Sequence, residues 1–321
     1  MKFEQSKITK VIEQNYSHLV PDFFEMQTEY LASLNIIYHD LDASLVAMVL
    51  TLKLYNRRIN DPNNSEKVSL KNFYKSENIG LPSSEFKIKE ISKVLNLPRE
   101  TVRRKKQKLI KDKLILIDNK NKKLYLNTSM IEEKIINVQI DNLSKFLSKF
   151  SIFFTKNRFF LHSASKEQIK KDVEEKFLIY LIKFLNFQIS YFSKMKTMID
   201  IESIFIVLLC ALNTTSKLKK SISGPLDSKT IFKKLHSLNT TFGLNATSIS
   251  DITKVPRTTV LRKIAYLEKN GMLKKDKFKR YTTDNWNKMP ESKKALSIMD
   301  HNINLLGIFF SECLETYTNK H

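Results

Sequence analysis

The sequence predicts a mainly α fold made by duplication, each half carrying a helix-turn-helix and a small β wing set between long helices. Three observations predict it. Residues 91–115 reappear without a gap as 249–273, with 10 of 25 aligned positions identical and four more exchanging one apolar residue for another, which marks an internal repeat. Apolar residues recur at helical spacing over long stretches before and after each copy. Within each copy, the second helix is followed by a strand pair, over 272–275 and 279–282 in the second copy with Asp276-Lys277-Phe278 near the tip.

A chain of 321 residues with 42% hydrophobic and 10% aromatic content can bury two cores. Its net charge of +22 makes a polyanion the expected partner, nucleic acid first and an anionic membrane surface second. A Lys-, Asn- and Ile-rich composition also follows from an AT-rich genome, so the positions of the charges carry more weight than their sum. Of the five glycines (Gly80, Gly224, Gly243, Gly271, Gly307), none is spaced as a phosphate-cradling loop, which excludes the common nucleotide-binding motifs. Cys210 and Cys313 sit in apolar stretches and are expected as buried free thiols. The six histidines show no metal-ligand spacing, so no metal or cofactor is expected. Residues 1–30 lack the pattern of a signal peptide, and the apolar run 204–212 is shorter than the roughly 20 residues a bilayer needs. A soluble cytoplasmic protein without a membrane partner is the expectation.

The copies are offset by 158 residues, from Pro98 to Pro256, so repeat one is expected to span 1–157 and repeat two 158–321, with a boundary near 155–166. In repeat one, Phe23, Met26, Tyr30, Leu31 and Leu34 predict a long helix over 16–38, matched by 173–195. A second helix is expected over 43–56 and 201–214, where Asp42 aligns with Asp200. Turn formers at Asp61-Pro62-Asn63-Asn64 and Ser223-Gly224-Pro225 predict loops over 57–67 and 215–226. Short helices over 70–76 and 228–238 lead into the helix-turn-helix units with their wings, about 84–127 and 242–285. Behind them, 131–154 and 292–317 predict long helices that pack on the first helix of the same or the other repeat. The stripe Ile140, Leu143, Phe146, Leu147 and Phe150 is read as core.

In the second unit, Ile249 and Ile252 are expected to face inward, Lys254-Val255 to turn, and Pro256 to open a helix over 257–270. Val260, Ile264 and Leu267 form its buried stripe, and Asn270-Gly271 ends it. At about 100° per residue, Thr258, Leu261, Arg262 and Ala265 lie opposite that stripe, on the face that would enter a major groove. The equivalent face of the first unit is Glu100, Arg103, Arg104 and Gln107. Arg99 and Arg257, with Thr101 and Thr259, stand at the helix N-termini and suit phosphates. Lys120, Lys122 and Lys123 in one wing, and Lys274, Lys275, Lys277, Lys279 and Arg280 in the other, suit the sugar-phosphate backbone or minor groove. Lys106 occupies the buried position held by Ile264, where its aliphatic stem can cover the core.

Residues 248–252, 256–263 and 267–273 resemble the winged helix-turn-helix domains of bacterial transcription regulators of the multiple-antibiotic-resistance-regulator type. The resemblance covers about 40 residues per copy. It implies flanking helices that pair two heads, here as a pseudo-two-fold single-chain dimer of tandem winged helix-turn-helix repeats reading double-stranded DNA. The helix and loop inserted before each head depart from the family plan, so family ligand pockets do not carry over. Because Glu100 aligns with Thr258 and Arg103 with Leu261, the two half-sites are expected to differ: Arg103 can bond guanine, whereas Leu261 can only touch a thymine methyl. The alternatives are a replication initiator of plasmid or phage type and a non-enzymatic assembly factor whose winged helices dock proteins. An enzyme is not expected, since no metal-spaced acidic cluster, activated nucleophile or cofactor fingerprint is present.

Overall fold

The computed structural model describes residues 5–60, 68–75, 80–127, 133–156, 163–237, 243–283 and 292–318. It is mainly helical, with small antiparallel sheets. The first repeat runs α1 (Gln5–Gln14), α2 (Tyr16–Tyr38), α3 (Leu41–Ile59), α4 (Leu70–Lys75), β1 (Leu81–Pro82), α5 (Ile88–Leu95), α6 (Arg99–Lys111), β2 (Ile115–Asp118), β3 (Lys123–Leu126) and α7 (Glu133–Lys156). The second runs α8 (Lys166–Glu175), α9 (Phe177–Met195), α10 (Ile201–Ser221), α11 (Ser228–Ser237), α12 (Ala246–Thr253), α13 (Arg257–Lys269), β4 (Leu273–Lys275), β5 (Tyr281–Thr283) and α14 (Ser292–Thr318).

Several boundaries differ from the sequence expectation, each for a local reason. The helix expected over 173–195 breaks at Lys176, a buried lysine whose ammonium bonds the Asp172 carboxylate and the Thr316 carbonyl. Helix α10 continues through the expected loop to Ser221 because Leu218 extends its buried stripe, while the Thr214 and Thr215 hydroxyls donate to the Cys210 and Ala211 carbonyls. The expected turn at 61–64 lies outside the described residues, as does half of the expected boundary between the repeats, 157–162.

The chain divides into two compact units, and neither is a contiguous half. Unit 1 gathers Leu34–Thr197 with Glu312–His321, and unit 2 gathers Lys2–Ser33 with Met198–Ser311. Each unit therefore joins the body of one repeat to the leading helices of the other, and the sequence boundary at 157/158 falls inside unit 1.

In unit 1, α3 packs against α6 and α9, α5 against α9, and α7 against α8. Phe146 and Phe150 of the expected core stripe are almost fully buried, as is Phe154 one turn further on. The Phe73 ring meets Phe177 edge-on at 4.9 Å. Polar bonds fix the borrowed helix α9: Lys196 pairs with Asp42 at 2.6 Å, its carbonyl accepts from Asn96 Nδ2, and Ser193 Oγ donates to the Val94 carbonyl.

In unit 2, α10 is central and packs on α11, α12, α13 and β5, with Ile204, Phe205, Ile206 and Cys210 fully buried. It is long and apolar enough to cross a membrane, which the run 204–212 alone did not reveal, yet 72% of that window is buried inside the protein. Its apolarity is thus used by the core. Here the borrowed segment is α1 with most of α2: Ser17 N donates to the Leu226 carbonyl at 3.0 Å, and Ser228 Oγ to Glu13 at 2.5 Å. Gly307 of α14 lies against Thr9 so closely that a Cβ there would fall 2.3 Å from Oγ1. Burial pushes the Cys210 thiol up to about 12 and raises Cys313 as well, so both free cysteines are inert.

Equivalent bonds reveal the true register of the duplication. Ser17 and Leu178 donate to corresponding carbonyls, Asp40 and Asp200 cap corresponding helices, and Lys105 and Lys263 bond those two caps. The spacing shortens along this series, so the constant offset that paired Asp42 with Asp200 fails over the leading helices. Asp40 is the counterpart of Asp200, and Asp42 serves Lys196 instead.

Candidate nucleic-acid interface

The two copies build the same local structure from the same few residues. In each, a short helix (α5 or α12) stops at a left-handed residue, Asn96 with φ 50° or Lys254 with φ 57°. The hydroxyl of Ser92 donates to the Leu97 carbonyl at 2.6 Å, and that of Ser250 to the Val255 carbonyl at 2.8 Å, which clamps the turn. Pro98 and Pro256 then stand one residue earlier than helix-opening prolines usually do, as the N-cap residues of α6 and α13.

Both second helices end alike. Lys113 and Gly271 take positive φ, 58° and 68°, while Leu114 N reaches the Leu109 carbonyl and Met272 N the Leu267 carbonyl, each at 2.9 Å. That is the six-to-one bond of a Schellman cap. The chain turns directly into a hairpin, β2–β3 in unit 1 and β4–β5 in unit 2. A third partner precedes each helix pair: β1 pairs with β3 through Leu81 and Leu124, and Leu244 bridges Tyr281.

Inward faces follow the expected stripes in the second helices, with Val102, Leu109, Val260, Ile264 and Leu267 buried. In the first helix of the second copy the expectation is corrected. Ile252 is 45% exposed and its counterpart Val94 43%, because α12 packs on α10 and α13 through Ala246, Ile249 and Thr253, which leaves Ile252 on the outer side. Thr253 is buried at no polar cost, since its hydroxyl donates to the Ile249 carbonyl at 2.7 Å. Lys106 fills the place of Ile264 by laying its ammonium 4.6 Å over the Phe86 ring, and burial lowers its pKa.

Glu100, Arg103, Arg104 and Gln107 of α6 are exposed, as are Thr258, Leu261, Arg262 and Ala265 of α13. Arg99 and Arg257 are exposed at the helix starts, with Thr101 and Thr259 half-buried beside them. Arg103 is engaged by Glu100 one turn away, so its guanidinium is shared with a carboxylate and is less available than the spacing implied. Arg99, Arg104, Arg257 and Arg262 make no ion pair among the described residues.

The sequence did not single out Lys105 and Lys263. They face inward and hold the long helices: Lys105 reaches both Asp40 oxygens at 2.6 and 2.8 Å, and Lys263 reaches Asp200 at 2.7 Å and Glu202 at 3.4 Å. Burial works to raise the Asp200 carboxyl, but bonds from the Lys263 ammonium and from the Ser203 amide and hydroxyl outweigh it and hold that pKa low. The identical Lys, aligned in both copies, was the available signal.

An aspartate holds each hairpin tip, with a different set of bonds. Asp118 accepts from Asn121 N and Nδ2, and Asp276 from the amides of Phe278 and Arg280. Lys122 and Lys279 take left-handed φ of 51° and 57°. Lys120, Lys122, Lys123, Lys277 and Lys279 are exposed around these tips. Arg280 is not a free cation. Its Nε donates to Asp276 at 2.8 Å, and its guanidinium carbon lies 4.8 Å from the Phe278 ring centroid.

Among the described residues, no group of His, Cys, Asp and Glu could hold a metal. No protein-family model, curated protein or solved structure matches this chain.

Proposed function

We propose that the chain is a sequence-specific double-stranded DNA-binding transcription regulator, with tandem winged helix-turn-helix heads acting as the unequal halves of a pseudo-two-fold single-chain dimer. One observation carries this reading. Of the ten residues identical between the copies, six have internal duties: Ile91/Ile249, Val102/Val260 and Leu109/Leu267 in the core, Ser92/Ser250 at the turn, Pro98/Pro256 at the cap, and Lys105/Lys263 on the capping aspartates. Lys111 and Lys269 close the helices at their negative ends. Arg99/Arg257, Thr101/Thr259 and Arg104/Arg262 remain. The arginines are exposed and pair with no carboxylate among the described residues, at the positions where such a helix meets phosphates and base edges.

The test is fluorescence anisotropy with duplexes selected from a random library, titrated with salt. Affinity should fall steeply with salt as counterions are released, and Arg104→Ala or Arg262→Ala should each weaken binding roughly tenfold and reduce the salt slope by about one. Footprints of the selected duplex should show two dissimilar half-sites about 34 Å apart. Equal affinity for selected and random duplexes would sink the regulator reading.

A second reading, an assembly factor, draws on the exposed Ile252, Leu261 and Tyr266 of the unit 2 head, an apolar face that unit 1 largely replaces with charge. Binding to duplex that is absent, or indifferent to salt, would favour it.

A further inference from the structure

Phe278 is the most exposed large apolar side chain among the described residues, with 58% of its surface in solvent. It stands at the tip of the β4–β5 hairpin, and the tip is fixed around it. The Asp276 carboxylate accepts from Phe278 N at 2.8 Å, Arg280 N at 2.9 Å and Arg280 Nε at 2.8 Å. Asp276 N donates to the Arg280 carbonyl at 2.9 Å, and Lys279 N returns to the Asp276 carbonyl at 3.1 Å. Bonds to the Phe278 and Arg280 amides outweigh the effect of burial and hold the Asp276 carboxyl low, so the clasp persists at neutral pH.

Water gives an apolar ring no reason to be displayed at a rigid tip, and its surroundings suggest what does. Lys277 Nζ lies 5.1 Å from the ring centroid and the Arg280 guanidinium 4.8 Å from it. Five of the seven residues from Lys274 to Arg280 are basic. The other tip makes a contrast: Asp118 also holds that turn, through Asn121, but the residues displayed there are Asn119, Lys120 and Asn121.

We propose that Phe278 is a minor-groove wedge, present in one wing only, that presses between base pairs while Lys277 moves from the ring to a flanking phosphate and Arg280 stays on Asp276. This rests on the DNA-binding reading above. A planar apolar ring meets the faces of bases without regard to sequence, and cations on either side of it in the chain suit a groove walled by two phosphate strands. Kinking is easiest at a flexible pyrimidine–purine step, so the unit 2 half-site should carry one where this wing lands. The unit 1 wing, polar at its tip, should leave its half-site unbent.

The test uses the full chain and a duplex selected by the wild-type protein. Trp286→Phe removes the chain's single native indole, and Phe278→Trp in that background places one at the tip. Its emission should be quenched on adding the duplex. Phe278→Ala, at an exposed site, should leave the melting curve unchanged, lower affinity roughly tenfold and lengthen the end-to-end distance of a doubly labelled duplex in the complex. Unquenched emission together with unchanged affinity and duplex length for Phe278→Ala would overturn the wedge while leaving DNA binding standing. Failure of the wild-type chain to bind any duplex in a salt-dependent way would overturn both.

Discussion

Lys113 and Gly271 occupy the same left-handed position after the second helix of each head, and only one of them suits it. A non-glycine residue there crowds its Cβ against the backbone at a cost of about 1 kcal/mol. Lys113→Gly should therefore raise the urea midpoint of unfolding, and Gly271→Ala, at φ 68°, should lower it by a similar amount. A Lys113→Gly variant less stable than wild type would contradict the strained-cap account. The position itself was legible as Asn270-Gly271 in the second copy. In the first it was hidden, because Asp112-Lys113 carries no turn signature and the bond from Leu114 to Leu109 imposes the conformation.

At the level of elements, α6 and α13 are each tied to a long helix through that helix's N-cap. Asp200 caps α10 through Ser203 N and also receives Lys263 from α13. Asp200→Asn preserves the cap but removes the charge, so the difference between variant and wild type isolates the ion pair. That pair is partly exposed, 44% on the Asp side, and is worth about 1 kcal/mol after solvent screening. Because the folded carboxyl titrates below its unfolded value of about 3.9, the stabilisation is complete above that pH and disappears as pH falls through the lower, folded value. Urea melts of the two proteins should differ at pH 7 and converge below about pH 4; a gap that persists in acid would rule out the charge as its source. The second-helix stripes were readable from periodicity alone. The inward line of α12 was not, since packing on α10 and α13 chooses its buried face and leaves Ile252 outside.

Across the whole molecule, the exchange of leading helices between repeats decides what can fold. The body of repeat one lies in unit 1 with α8 and α9, whose Phe177, Tyr180, Phe184 and Phe192 are buried. A fragment of residues 1–157 lacks those side chains and keeps α1, which belongs to the other unit. Fragments 1–157 and 158–321 should each unfold without a cooperative transition and regain one when mixed, read by circular dichroism melts. A cooperative melt of either fragment alone, at the midpoint of the intact chain, would show that the exchange is dispensable.

The sequence by itself determined the duplication, the helical class, the buried stripes of the second helices and the cations on their outer faces. All of these follow from spacing within a few turns of chain, where 3.6-residue periodicity and capping act locally. Only the tertiary structure decided which leading helix joins which body, which of the paired lysines are structural, and that Arg103 and Arg280 are partly occupied by Glu100 and Asp276. The pairing of helices and of Lys105 with Asp40 depends on segments far apart in the chain, whose packing no local window contains.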